Sequence, residues 1–194
     1  MSNEQLAKDF SETQKETLKT VASAARGVTQ IMRRCEDAKS SSYLDLSDCS
    51  LLYLADAIYL VLKGYSVDKV SLQDNDLKKF PLKLVDKFPQ LYFINIRRNK
   101  IELLPDELSK WELMKAANLA DNKLKELPNC VFSWSQLTIL DISNNMIDHI
   151  DIDRLFIACP KLSFFTIKGN PIPDHVIEAI KKFPRKVKNF KIDV

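Results

Sequence analysis

Apolar and polar positions along this chain fall into one frame that returns many times. From Met114 to Leu137, apolar residues stand at Met114, Ala117, Leu119 and Leu124, with Asn122 between the last two, and Leu127-Pro128 follows. The same frame holds Leu91, Ile94, Ile96, Asn99 and Ile101, then Leu104-Pro105. It holds Val67, Val70, Leu72, Asn75 and Leu77, then Phe80-Pro81. Leu137, Leu140, Ile142, Asn145 and Ile147 continue it, and Leu162, Phe165, Ile167, Asn170 and Ile172 make the last copy. An imperfect first copy is Leu44, Leu46, Cys49 and Leu51, with Ser41 where the leading leucine belongs. Six such copies are enough for a stable stack, because units of this size bury their apolar side only against one another.

The alternation within each copy, as in Ala117-x-Leu119, predicts a short strand with one buried face, paired in parallel with the next copy. The asparagine is expected to turn inward, where its amide can satisfy backbone groups of the turn. Stacked copies would then form a ladder of Asn75, Asn99, Asn122, Asn145 and Asn170, with Cys49 at its end. Phe88, Trp111, Trp134 and Cys159 each stand three residues before a new copy, a register that places both tryptophans in the core of the return side rather than on a binding face.

These motifs resemble the leucine-rich-repeat superfamily over residues 41–172. A lone amphipathic helix running into YLDLSDCSLLYLADAIYLVLKG, the cysteine at the first asparagine position and the GNPI end resemble, more narrowly, a small intracellular member of it. The resemblance implies an α/β leucine-rich-repeat solenoid, a horseshoe with a concave parallel sheet and helical N- and C-terminal caps. It implies no catalysis and a role in binding a protein partner. By analogy it also admits a regulatory subunit of a phosphatase or GTPase pathway.

Around the repeats, three regions are expected: a polar segment and amphipathic capping helix over 1–40, repeats over 41–172, and a C-terminal cap with a basic tail over 173–194. Apolar residues Leu18, Val21, Ala22, Ala25, Val28, Ile31 and Met32 predict a helix over Glu16–Arg34, preceded by a frayed start. Its stripe is expected to cover the open end of the first repeat; the alternative is a basic helix that associates with a membrane surface. Helical limbs are expected over AIYLVLKG and DIDRLFIACP, and short helical or 3₁₀ turns over DELSKW and NCVFSW. DHVIEAIKKF predicts a capping helix through Val176, Ile177, Ile180 and Phe183. The run KKFPRKVK is either solvated surface or a weak nuclear-import signal, and Phe190 to Val194 either a closing strand or a ligand for a peptide groove.

Composition narrows the function. A net charge of +3 points to neither nucleic acid nor a strongly acidic partner. The three glycines, Gly27, Gly64 and Gly169, are too scattered for a phosphate-binding loop, and the two histidines, His149 and His175, have no metal-ligand spacing. Asp45 and Asp141 fall four strands apart, at about 4.8 Å per strand too far to share a proton or a metal. The expectation is therefore no enzyme, no cofactor and no metal. The four cysteines form no C-x-x-C pair, and the start MSNEQLAKDF lacks an apolar signal core. A cytoplasmic or nucleocytoplasmic, unsecreted, monomeric protein is expected, with membrane and nucleic acid disfavoured as partners.

Between the buried strand positions, three columns face the concave side. The first holds Tyr43, Lys69, Phe93, Ala116, Ile139 and Phe164. The second holds Asp45, Ser71, Asn95, Asn118, Asp141 and Thr166, and the third Ser47, Gln73, Arg97, Ala120, Ser143 and Lys168. Aromatic and apolar members of the first column are not demanded by the scaffold, and binding energy concentrates in aromatics and arginine. The expected protein-binding residues are Tyr43, Lys69, Tyr92, Phe93, Asn95, Arg97, Asn118, Ile139, Asp141, Phe164 and Lys168, with small Ala116 and Ala120 leaving room for an incoming side chain. Against this stands the fact that single exposed apolar residues are ordinary on any surface.

Overall fold

A computed structural model describes residues 3–183 and 190–194, without the side chains of 3–4, 6–10 and 19–24. Seven strands lie in one parallel sheet in chain order. They are β1 (Tyr43–Asp45), β2 (Lys69–Ser71), β3 (Phe93–Asn95), β4 (Ala116–Asn118), β5 (Ile139–Asp141), β6 (Phe164–Thr166) and β7 (Lys191–Asp193). The middle residue of each of the first six, from Leu44 to Phe165, is buried at 1% exposure or less, as the alternation requires. Parallel register joins Tyr43, Lys69, Phe93, Ala116, Ile139 and Phe164 in one row, which Lys191 extends. The last five residues thus supply a seventh strand, the closing-strand alternative of the sequence reading.

The asparagine ladder is present. Asn122 Nδ2 donates to the carbonyls of Ile96, Leu119 and Ala120, and its Oδ1 accepts the N–H of Ile101. Asn75, Asn99 and Asn145 repeat this set one copy apart, and Asn170 most of it. Cys49 cannot donate twice, and the Oδ1 of Asn75 caps the Cys49 and Leu51 N–H groups. The residue before each ladder position adopts positive φ: Asp48, Asp74, Arg98, Asp121 and Asn144 at 52–54°, and Gly169 at 73°. Asp and Asn tolerate this left-handed region better than most residues.

The return limbs are short. Helices α2 (Asp56–Val61) and α3 (Lys83–Lys87) serve the first two repeats, 3₁₀ turns at Asp106–Lys110 and Asn129–Ser133 the next two, and α4 (Ile152–Ala158) the fifth. Pro105 and Pro128, extended at ψ 146° and 135°, open the 3₁₀ turns. Trp111 and Trp134 are fully buried, and their indole N–H groups donate to the carbonyls of Phe88 and Leu108 one repeat back. The tryptophans therefore stitch adjacent limbs as well as filling the core.

The first helix departs from expectation. Helix α1 runs over Asn3–Ser41, 39 residues and roughly 58 Å, beginning well before Glu16. Its start is rich in Glu, Gln, Ala and Lys, good helix formers that need no amphipathic pattern. Its C-terminal turns close the first repeat: Cys35 and Ala38 are fully buried and Ile31 packs against the core. Arg34 anchors them by donating to the carbonyls of Asp45 and Ser47. Leu18 and Val28 stay 69% and 62% exposed, so the stripe does not act as a cap along its length. At the other end α5 (Asp174–Lys182) buries Val176 and Ile180, and Phe156 stacks on Phe183 and Phe190 at 4.8 and 5.8 Å. Most of the KKFPRKVK run lies at 184–189, outside the described residues.

Candidate protein-binding surface

The first concave column divides into two halves. In the N-terminal half, Tyr43 and Phe93 stand two strands apart, about 9.6 Å by strand spacing, yet their rings meet edge to face at 6.4 Å. The intervening Lys69 places its ammonium 5.7 Å from the Tyr43 ring. Burial, then the neighbouring Asp45 carboxylate, pushes the Tyr43 phenol above its ordinary range, so it remains a neutral donor. In the C-terminal half, Ile139 and Phe164 are each 44% exposed, and Lys191 lies 5.6 Å over the Phe164 ring. Half-buried Ala116 leaves a dip between the two halves. Tyr92 lies just outside the column under the Lys115 ammonium, at 5.2 Å.

The second column has a structural task that the sequence reading missed. Oδ1 of Asp45, Asn95, Asn118 and Asp141 each accepts the backbone N–H two residues on, at 3.0–3.1 Å, where the strand ends and the turn begins. Asn95 also donates to Gln73. These residues line the concave face, but one oxygen of each is already committed to the turn.

Arg97 is held in place. Its Nε donates to Asp121 Oδ2 at 2.7 Å, and Asn144 Nδ2 donates to the other carboxylate oxygen at 2.8 Å. Burial works to raise the Asp121 carboxyl, but the hydrogen bonds from Arg97 and Asn144 prevail and hold it below its usual value; Arg97 is correspondingly raised. Arg98 bonds Asp74 in the same way at the preceding turn. One correction follows. Ala120, expected to leave room, is 1% exposed and offers none, and Arg97 in the adjacent repeat is drawn across to Asp121, the next residue. Lys168 is exposed at the far end of this column.

Ten of the eleven expected residues thus lie in the three columns, and Tyr92 lies beside the first. Lys115, Asp121, Asn144 and Lys191 join them and were missed. The signal for Asp121 and Asn144 was present, since an Asp, Asn or Gly precedes the ladder asparagine in four of its five positions, as Asp74, Asp121, Asn144 and Gly169. Among the described residues no group of three or more His, Cys, Asp or Glu could hold a metal ion. Among them also, no helix is long and apolar enough to cross a membrane.

Comparison with known proteins agrees with this geometry. The Leucine Rich Repeat family model matches residues 136–156. Leucine-rich repeat-containing protein 20 of Homo sapiens is 32% identical over 98 residues, 50% of this chain and 50% of that protein. Its Mus musculus counterpart is 33% identical over 91 residues, 46% and 47%. The match therefore spans about half the length of these curated relatives. Among solved structures, the leucine-rich-repeat domain of APL1B gives a TM-score of 0.58 at 15% identity, over 79% of this chain and 41% of that one. An internalin of Listeria monocytogenes gives 0.55 at 18%, over 71% and 37%. Leucine-rich repeats generally mediate protein–protein interaction and are typically not catalytic.

Proposed function

We propose that this leucine-rich-repeat solenoid is an adaptor or scaffold that holds a protein partner on its concave sheet. The observation that carries the reading is the first column: Ile139 and Phe164, both 44% exposed, continue the row that begins with the Tyr43–Phe93 pair. Strands need their inward residues apolar, and these face outward, so the scaffold gives no reason for them. Their lysines, Lys69 and Lys191, offer charge beside each aromatic. Arg97, braced by Asp121 and Asn144, is pre-organised for a carboxylate and loses little entropy on binding. Four unpaired cysteines fit a reducing, cytoplasmic setting.

Affinity capture from native lysate tests the reading, with wild type beside Phe93→Asp and Phe164→Asp. The expected result is a protein held by wild type and lost from both variants while the melting temperature is unchanged. Equal capture by all three removes the concave sheet from consideration.

A second reading is association of α1 with a membrane surface, favoured by exposed Leu18, Val28 and Met32 beside Arg26 and Arg33. Cosedimentation with anionic vesicles, lost in Leu18→Glu/Val28→Glu, would support it. Absence of cosedimentation by wild type would dismiss it.

A further inference from the structure

The convex flank of the first two repeats carries a cleft that the concave reading does not use. One groove of about 620 Å³ lies between α2 and α3, over buried Leu62 and Phe88. A second, of about 420 Å³, continues past Tyr53, Phe80 and Leu82. Asp56, Tyr59 and Lys83 line both, so the two form one continuous cleft. Its rim is apolar beyond what the fold needs: Tyr53, Leu60 and Leu52 are 72%, 71% and 67% exposed, and Tyr65 and Leu82 are 47% and 40%.

The charge around the cleft is predominantly positive. Both acids that line it are neutralised within the fold, Asp56 by Lys83 at 2.6 Å and Asp86 by Lys110 at 3.6 Å. Lys63, Lys78, Lys79 and Lys87 also line it and have no ion-pair partner among the described residues. At the middle stands Tyr59, 7% exposed, its ring tilted on Phe88 at 6.4 Å. Burial and then Asp56 push its phenol up to about 12, so it stays protonated. No protein acceptor for its hydroxyl is present among the described residues.

From the apolar rim, the surplus lysines and the Tyr59 donor, we propose that this cleft docks an acidic peptide segment of a partner protein, anchored by a leucine or aromatic side chain between carboxylates. Lysines supply mobile point charges that suit carboxylates on an extended chain, whereas phosphate recognition favours the bidentate arginine fork, and no arginine lines the cleft. A recessed floor admits a side chain but not a flat bilayer. The site is separate from the concave column, and either can fail without the other.

The test uses the full chain as bait for a display library of short random peptides. Enriched peptides are then synthesised with a fluorophore and titrated by anisotropy against wild type, Leu60→Glu/Lys87→Glu and Phe93→Asp. Both cleft substitutions fall on exposed residues, and an unchanged melting temperature confirms the fold. The expected result is enrichment of acidic peptides with a leucine or aromatic anchor. Their affinity should fall ~10-fold or more on the cleft variant, hold on Phe93→Asp, and weaken steeply with salt. The proposal is overturned if enriched peptides show no acidic bias, or if acidic peptides bind the cleft variant as tightly as wild type. Peptides weakened only by Phe93→Asp would support the concave reading and overturn this one. Phosphatidylserine vesicles bound by wild type but not by the cleft variant, with no peptide enriched, would assign the lysines to a membrane instead and also overturn it.

Discussion

Replacing Asn122 by alanine removes four hydrogen bonds at once. Three run from Nδ2 to the carbonyls of Ile96, Leu119 and Ala120 at 2.9, 3.2 and 3.1 Å, and one from the Ile101 N–H to Oδ1 at 3.1 Å. The losses are unequal. The carbonyls of Ile96 and Leu119 keep the amides of Asn99 and Asn145, and that of Ala120 keeps the Arg98 N–H. The Ile101 N–H keeps no partner among the described residues. An orphaned buried N–H costs about 1–3 kcal/mol and each of the three shared bonds about 0.5–1.5, so Asn122→Ala should lose about 2.5–7.5 kcal/mol. Asn170→Ala, at the part-buried end of the ladder where water can substitute, should lose about 1–2 kcal/mol. Asn122→Asp is the sharper variant: it keeps the acceptor for Ile101 but sets an anionic oxygen against three carbonyls, and should be no more stable than alanine. Urea unfolding followed by circular dichroism reads all three as shifts in midpoint at unchanged slope. A loss under about 1 kcal/mol for Asn122→Ala, or a wild-type midpoint for Asn122→Asp, would refute the ladder as a source of stability.

Other expectations follow from the same geometry. Deleting residues 1–26 spares the turns of α1 that bury Cys35 and Ala38 and should leave the melting temperature nearly unchanged, whereas deleting 1–38 uncovers Leu44 and Leu46 and should give insoluble protein, read by solubility and scanning calorimetry. The Asp121 carboxyl is held low in the fold by Arg97 and Asn144 against burial. Its contribution is therefore complete above the unfolded value, about 3.9, and is lost as pH falls through the lower folded one. Asp121→Asn should flatten the acid limb of the stability curve there and leave the neutral region nearly parallel. Burial pushes the thiols of Cys130 and Cys159 up to about 12, and Cys35 is fully buried, so iodoacetamide at neutral pH should label Cys49 first; rapid labelling of Cys130 would contradict the packing.

The strand rows were legible because two short-range signals agree. Alternation at Ile94-x-Ile96 sets which face is buried, and Asn99 three residues later sets where the strand ends. A register error would have put every column on the wrong face, and the repeat length forbids one. Helix α1 was legible only where amphipathic, since a projecting helix has no reason to alternate. The Arg97–Asp121 pair joins residues 24 positions apart and emerges only when adjacent copies are laid side by side. Lys191 joins the first column through the register of β7 on β6, after a stretch whose pattern is basic rather than apolar. Ala120 illustrates the reverse case: a small residue predicts space, but its burial at 1% exposure shows that its neighbours close over it.

The two flanks of the solenoid differ in what they offer. The concave row presents aromatics already paired with lysines, and its polar groups are half committed to the turns. The convex cleft presents Lys63, Lys78, Lys79 and Lys87, without an ion-pair partner among the described residues, around exposed apolar side chains. A scaffold with both could hold two segments of one partner, or two partners, without either contact displacing the other.

The most direct test of the central claim is photocrosslinking from chosen positions in native lysate. A photoreactive side chain is placed in turn at Phe93 and Ile139 on the concave row, and at Ile157, 78% exposed on the return side, as the reference. Concave binding predicts that positions 93 and 139 crosslink the same protein and that position 157 does not. Crosslinking from 157 with none from 93 or 139 would contradict it and move the partner to the other side of the solenoid.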